Sequence, residues 1–562
     1  MDRRQALQRW NLITMSYHTS STGRRIIKRI ADRGRQSALT PPDYTPPLDI
    51  PVRLLALAAL IGAPFAFYYF GIWAGIGALF GAALIYGLRE TFIQDDHAIV
   101  RIYGPLGRLR YLFERELRDK YLQYFNETNT SGRPIPRIVR DYIYQKSKNL
   151  KPLSSFGTEL DPFDEDTTTG CRVLHRNFPG TIAEPTYEVI VGEKRKGVRP
   201  FSIRNVINIS AMSYGSINHK AAESFSIGAK GIGYVNTGEG GYGPHGVAGN
   251  DVVFQIGTAK YGVGDEIKQN DGSSTRILNF DVLKDLVRNH PNIGMLQLKI
   301  SQGAKPGLGG HLPGGKITPE IAAVRRIQPY RTSISPSQHA EIVSATPRET
   351  IARLMDFIDS IRRATELPVG IKLCMGNLEE IELLCQAMKK TGKGPDAIQV
   401  DGSDGGTGAG PNLFMNYVGY GSSIETCALL HQKLSRLKIR DRVVLSVSGR
   451  IYTPIHAAMA FAAGAEVIDS ARGPMLALGC IQSLKCHTNH CPTGIATNHP
   501  WRIRGLDIPE KSTRVHHFLK GYHHDTMEIT RICGHLDPRD IRPSDLRLVK
   551  NSYYPDIEKY FV

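Results

Sequence analysis

Asp396-Ala397-Ile398-Gln399-Val400-Asp401-Gly402-Ser403-Asp404-Gly405-Gly406-Thr407-Gly408 is a short β-branched run that breaks into a glycine-rich turn. Such a run has the length of a buried strand, and glycines directly after it mark backbone that turns tightly or lets a ligand approach. Working outward from it, the same pattern recurs from about Asn205 onward. It places eight strands near 207–212, 232–236, 252–257, 294–300, 369–373, 396–401, 443–448 and 465–469, with helical stretches between them. Alternating β and α segments make a parallel sheet, and eight such units predict an α/β chain closed into a (β/α)8 (TIM) barrel. A doubly wound sheet would want G-x-G-x-x-G between a first strand and helix with an acidic residue about 20 positions on, and no such context is found.

In a barrel of this kind the chemistry sits on the loops after the strand C-termini, and the unusual stretches of this chain do follow its expected strands. Ser210-Ala211-Met212-Ser213-Tyr214-Gly215-Ser216 follows the first and Asn236-Thr237-Gly238-Glu239-Gly240-Gly241 the second. Small residues there let a flat ring approach the backbone. Between the fourth and fifth strands runs Gln302-Gly303-Ala304-Lys305-Pro306-Gly307-Leu308-Gly309-Gly310-His311-Leu312-Pro313-Gly314, carrying one cation and one imidazole; it reads as a binding loop or as a plain surface loop. Lys372 lies inside a strand, where burial demands an anionic partner. That partner is either the negatively charged edge of a reduced flavin or a carboxylate in the barrel interior. Phosphate cradles after the last two strands use backbone N–H groups of glycine and serine, which makes Ser448, Gly449, Ala471, Arg472 and Gly473 the candidates, with Asp404, Gly405 and Gly406 beside them.

The sharpest local pattern is Cys480, Cys486 and Cys491, spaced C-x5-C-x4-C and followed at once by Pro492. A closing Cys-Pro matches the end of ferredoxin-type cluster loops, and three thiolates suit a three-iron four-sulfur (3Fe-4S) cluster. Zinc on the three cysteines with His487 or His490 is the other reading. The remaining five cysteines are scattered, too sparse for a disulfide scaffold, and imply a reducing compartment.

With 562 residues and a net charge of +17, the chain is too long for one core alone, and its charge calls for an anionic partner. No zinc-finger spacing and no RNA-binding signature accompanies the charge, which argues against nucleic acid. Residues 1–53 hold ten Lys/Arg against four Asp/Glu, and Arg24-Arg25-Ile26-Ile27-Lys28-Arg29-Ile30 reads as a basic amphipathic turn or a solvated helix. An Arg- and Ser-rich, acid-poor start is also compatible with a transit peptide. Leu54 to Leu88 contains no charged residue and would extend about 52 Å as one helix, more than a single crossing needs. It reads as one transmembrane helix, as a hairpin broken near Tyr68 to Gly71, or as a buried core helix. Basic residues on both flanks favour the hairpin with the catalytic domain facing the cytoplasm. The expected organisation is a basic cytoplasmic segment 1–53, a membrane segment 54–88, a linker and helical lead-in 89–200, the barrel 201–500 and a helical extension 501–562.

From about Ser210 to Pro500 the chain resembles the synthase domain of glutamate synthases. The motifs that carry this are the Ser210-Ala211-Met212-Ser213 start, Asn236 to Gly240, Gln302 to Gly307, Ser335-Pro336 with His339, Asp404 to Ala409 and the cysteine loop. The resemblance implies FMN in the barrel, a 3Fe-4S cluster beside it and 2-oxoglutarate over the flavin, with electrons entering at the cluster and leaving to make L-glutamate. It assigns Lys305 and Arg325 to the substrate carboxylates and Glu239 to the acidic position near the substrate. His311 stands where the family has glutamine, and Leu308 where it has an acidic residue. Glutamate synthases begin with a cysteine nucleophile that releases ammonia from glutamine; this sequence reads Met1-Asp2-Arg3-Arg4 and runs into the apolar segment, and no NADPH fingerprint is found. The resemblance therefore implies ammonia and electrons arriving from outside, the latter from a donor such as ferredoxin or a reductase subunit.

Overall fold

The computed structural model describes residues 49–93, 98–113, 117, 121, 123–159, 171–178, 183–268 and 274–548. Most of the basic segment 1–53, including the turn at Arg24 to Ile30, lies outside them. The chain divides into two compact units, residues 1–122 and 123–562.

The larger unit is built on a closed barrel of eight parallel strands: β1 (Ile207–Ile209), β2 (Val235–Asn236), β3 (Val252–Ile256), β4 (Ile293–Lys299), β5 (Val369–Leu373), β6 (Ala397–Asp401), β7 (Val444–Ser448) and β8 (Val467–Ser470). All eight expected strands are present. Closure is made by β8 against β1, with Ile468 opposite Ile207 and Ser470 opposite Ile209. Every residue of β3, β5 and β6 is buried, as strands must be when helices cover the outside and side chains fill the inside. β2 is shorter than expected because Tyr234 N–H donates to the Asn208 side chain at 3.0 Å. Inside, amides cross the barrel in a chain: Asn236 and Gln255 both donate to Gln297 Oε1 (2.9 and 2.7 Å), and Gln297 donates to Gln399 (2.8 Å). Buried amides are tolerated because they satisfy one another.

Local sequence explains where the covering helices begin. Asn218, Asn279, Thr346, Asn377 and Ser422 each accept backbone N–H groups at a helix start, filling donors that the first turn leaves unpaired.

The expected linker and helical lead-in 89–200 and helical extension 501–562 contribute helices and short strand pairings. The boundary between units falls within the first, and residues from 123 onward belong with the barrel. There α1 (Arg137–Ser147) precedes two short pairings: 171–173 lies antiparallel to 546–548, and 189–191 to 201–203. The helix α2 (Ile508–Ile532), capped by Asp507, buries Ser512, Val515, Phe518, Leu519, Tyr522, Thr526 and Thr530. That spacing lines one helical face, and the face packs on the barrel unit.

The smaller unit holds two apolar helices, Asp49–Phe70 and Ile72–Leu88, parted at Gly71. Its φ of +85° is one that a side chain would resist, so the helix breaks within the stretch the sequence marked. Gly75 lies directly under the Phe67 ring, where a β-carbon would have no room. Ile72–Ile93 is long and apolar enough to cross a bilayer by length and composition, whereas Leu54–Phe70 is shorter. Leu54, Ile61, Phe65, Trp73 and Phe80 are all more than half exposed. Just beyond, the buried Glu90 pairs with Arg89 and accepts from Arg108 Nε at 2.6 Å.

Candidate active site

Four charged side chains gather at the mouth of the barrel. Lys299 is the last residue of β4, and its Nζ meets Glu239 Oε1 at 2.7 Å. Glu239 comes from the turn after β2 and is wedged where Gly257 and Gly310 leave it room; a β-carbon on Gly310 would lie 2.5 Å from its Oε1. Burial works to raise the Glu239 pKa, but Lys299, Lys305 and Arg325 more than offset it, and the carboxyl is held below its ordinary range. Lys305 is pushed down to about 8 by burial and by Lys299, with Glu239 opposing. Arg325 ends the helix Pro319–Arg325. Its Nε and Nη2 donate to the Tyr214 carbonyl (3.2 and 2.6 Å), and its guanidinium lies 4.8 Å from the Tyr261 ring centre. Three cations against one carboxylate give a pocket that lacks negative charge, the arrangement a small di-acid would complement.

His311 pairs in a two-residue strand with Ile334. Its Nδ1 is buried without a hydrogen-bond partner among the described residues, and burial, then Lys305, holds its pKa below the ordinary value. His339 touches the same group from behind, its Nε2 lying 3.0 Å from the Lys299 carbonyl. Lys299 was not singled out from sequence. The signal that picked Lys372, a lysine inside a strand, was equally present there.

Across the mouth, Lys372 Nζ lies 3.2 Å from Asp401 Oδ2 on the neighbouring strand. The carboxylate expected as one partner from sequence is Asp401. Asp401 also accepts from Gly303 N–H (2.9 Å) and Ser448 Oγ (2.6 Å). Met212 and Ser213 run against Gly238, with Ala211 ahead of them leaving β1. Around the ends of β7 and β8 stand Ser448, Gly449, Ala471, Arg472 and Gly473, faced by Asp404, Gly405 and Gly406. Gly406 lies on the Arg472 guanidinium, and Arg450 and Arg472 each approach the Asp404 carbonyl at 3.4 Å. Both carboxyl oxygens of Asp404 are buried without a hydrogen-bond partner among the described residues. Burial raises its pKa to about 6 against the pull of Arg450 and Arg472. Two guanidinium groups beside a carboxyl that lacks donors suit a ligand that brings both phosphate and hydroxyls. Arg450 was not among the residues chosen from sequence, although it directly follows Ser448 and Gly449.

The cysteine loop lies on the same side. None of the eight cysteines is in a disulfide. Burial lifts the Cys480 thiol to about 12, helped by Cys486 and Cys491 and opposed by the Gln482 N–H. Lys316 is buried next to this loop, donating to the carbonyls of Ser216 (2.9 Å) and Cys486 (3.3 Å). Its pKa falls to about 8 through burial, with Cys486 and Cys491 opposing. Among the described residues no three His, Cys, Asp or Glu side chains are drawn together closely enough to hold a metal ion.

Residues 169–536 match the conserved region in glutamate synthase. The chain belongs to the glutamate synthase family. It is 30% identical over 489 residues to the glutamate synthase large subunit-like protein YerD of Bacillus subtilis, covering 79% of this chain and 88% of that one. It is 32% identical over 420 residues to the archaeal glutamate synthase [NADPH] of Methanocaldococcus jannaschii, covering 72% and 70%. It is similar also to the ferredoxin-dependent glutamate synthase of Pyropia yezoensis, 32% identical over 356 residues, which span 61% of this chain and 22% of that protein. As a family member the chain is a glutamate synthase-like oxidoreductase acting on CH-NH2 donors. Residues 169–536 hold every residue named above for the barrel mouth and the cysteine loop.

Proposed function

We propose that this chain is a membrane-anchored flavin and iron–sulfur oxidoreductase that reductively aminates 2-oxoglutarate to L-glutamate, taking ammonia and electrons from partners such as a ferredoxin or a reductase subunit. The observation that carries this is the group of Lys299, Lys305 and Arg325 around the single carboxylate of Glu239. Lys305 and Arg325 would bind the two carboxylates of the substrate, fixing its reacting carbon over the barrel mouth, where orientation contributes much of the rate. Lys299 keeps Glu239 ionised, and His311, neutral at physiological pH, offers a hydrogen bond rather than a charge.

FMN would lie on the backbone of Ala211, Met212 and Ser213. Its phosphate would meet Ser448, Gly449, Arg450, Ala471, Arg472 and Gly473, its hydroxyls Asp404, and Gly405, Gly406 and Lys372 would line its remaining edges. The unsatisfied carboxyl of Asp404 is what such hydroxyls would satisfy. Cys480, Cys486 and Cys491 would hold a 3Fe-4S cluster, whose negative charge suits the buried Lys316. When bound, FMN supplies two-electron transfer to a substrate carbon and the cluster supplies electrons one at a time. The exposed apolar helices of residues 49–88 would anchor the protein, leaving the barrel on the cytoplasmic side.

A second reading draws on Arg325, two of whose nitrogens already donate to Tyr214. The same centre would then act on another small acid or pass electrons to a partner. The test of the main reading is the visible spectrum of purified protein, with iron and sulfide analysis and calorimetric titration with 2-oxoglutarate. Flavin bands on a broad iron–sulfur absorbance, and binding of that ligand, are expected. A colourless protein that takes up zinc would overturn the cofactor reading, and a coloured protein that does not bind 2-oxoglutarate would favour the second.

A further inference from the structure

Tyr452 lies in the loop between β7 and the helix Pro454–Ala462 and has no part in the site described so far. Its side chain is almost wholly buried. The Arg472 guanidinium lies over its ring, 5.4 Å from the centre, and the His456 ring meets it edge-on at 6.5 Å. His456 is held in turn by Thr453, whose Oγ1 lies 3.0 Å from its Nδ1, and the Thr453 carbonyl accepts from Tyr522 Oη on α2 at 2.8 Å. The ring is thus clamped in one place.

The hydroxyl is not satisfied there. Tyr452 Oη is buried with no hydrogen-bond partner among the described residues, and a buried hydroxyl that donates to nothing is destabilising. Burial raises its pKa, Arg472 and Arg450 oppose, and Asp404 adds to the rise, so at physiological pH the group keeps its proton and can donate it to a hydrogen bond. Those three residues are the ones that stand around the ends of β7 and β8. Both carboxyl oxygens of Asp404 lack partners in the same way, so the two groups are not bonded to each other. A donor without an acceptor and a carboxyl without donors therefore lie beside the same pair of guanidinium groups. A phosphate ester that also carries hydroxyls answers both, because its phosphate oxygens accept and its hydroxyls donate. Two guanidinium groups beside one carboxyl favour an anion as the acceptor.

We propose that Tyr452 is a binding residue for the flavin phosphate, its hydroxyl donating to a phosphate oxygen beside Arg450 and Arg472, and that it makes the site select a phosphorylated flavin over the bare one. The inference rests on the flavin reading above and adds to it a residue that tells two forms of the cofactor apart.

The test uses the full-length protein in detergent, freed of flavin and titrated with FMN and with riboflavin, with the change in flavin fluorescence giving both affinities. Tyr452→Phe removes the hydroxyl and keeps the ring against Arg472. It should weaken FMN about tenfold, the low end for a hydrogen bond to a charged group, and leave riboflavin unchanged. That split supports the assignment, since a residue that only shapes the loop would weaken both flavins alike. Equal loss for both, or no loss for FMN, overturns this inference and leaves the flavin reading standing, and so does a wild type that binds FMN no tighter than riboflavin. Thermal melts give an independent readout. Without flavin the variant should melt no lower than wild type, because the hydroxyl it lacks had no partner to lose; with FMN bound it should melt lower than wild type. A flavin-free variant that melts lower, or does not fold, shows that the hydroxyl is needed within the protein itself and overturns the inference. Wild-type protein that binds neither flavin overturns the flavin reading and this inference together.

Discussion

Raising the pH from 7 to 9 should weaken the binding of 2-oxoglutarate about tenfold, and the reason lies in Lys305. Its pKa is lowered to about 8 by burial and by Lys299, so its charged fraction falls from roughly nine-tenths to roughly one-tenth across that interval. If only the ammonium form holds the carboxylate, affinity falls with that fraction. Folding stability should move in the opposite sense. The unfolded chain binds this proton up to about pH 10.5 and the folded chain only to about 8, so the folded state carries the cost below pH 8 and sheds it as pH rises from 8 to 10.5. The difference of about 2.5 pH units is on the order of 3 kcal/mol. Lys316 is shifted to the same value, so the contribution of Lys305 must be read as wild type minus Lys305→Gln. Calorimetric titration with 2-oxoglutarate at pH 7, 8 and 9, with thermal melts from pH 7 to 10.5, makes both measurements. Wild-type affinity that is flat to pH 9, or a Lys305→Gln variant that shows the same alkaline loss, would refute the reasoning.

Other outcomes follow from the same geometry. Glu239→Gln strands the buried Lys299 and should destabilise the barrel unit by about 3–5 kcal/mol, seen as a lower denaturation midpoint; an unchanged midpoint would mean that the ion pair contributes nothing. His311 is held below its ordinary pKa, so acid-enhanced binding of 2-oxoglutarate should begin below the ordinary imidazole range and vanish in His311→Gln; an enhancement that persists in the variant would place its origin elsewhere. Reporters fused before Arg53 and after Arg89 should both register the cytoplasm if the apolar helices form a membrane hairpin, and opposite locations would establish a single crossing.

The barrel was legible because its strands are apolar runs closed by glycine, and burial on both faces leaves little else such runs can be. The helix break was legible too, since glycine in an apolar stretch is a local signal. What escaped was contact across sequence. Lys299 carried the same signal as Lys372, a lysine inside an expected strand, and what the sequence did not supply was its partner Glu239. Lys372 read as a charge seeking an anion, and that Asp401 is one such anion depends on the register that sets β5 beside β6. Nothing near Tyr144 announces Cys480, because the two meet only after more than three hundred intervening residues have folded. The expectation of a linker and helical lead-in over 89–200 likewise carried no sign of the contacts that residues 123 onward make with the barrel unit.

The pairing of 171–173 with 546–548 has a consequence for how the protein is made. The first strand of the barrel waits for the last, and the short sheet outside it waits longer still. At about 5–20 residues per second, the ribosome needs roughly half a minute to a minute and a half to travel from the apolar helices to residue 548. Throughout that time the greasy segment is already outside the exit tunnel while the enzyme behind it is an open curl of unpaired strand edges, the form most prone to aggregate. Early capture of those helices would hold the nascent chain in place while the barrel finishes, which gives the protein a reason to carry them ahead of its catalytic unit rather than behind it.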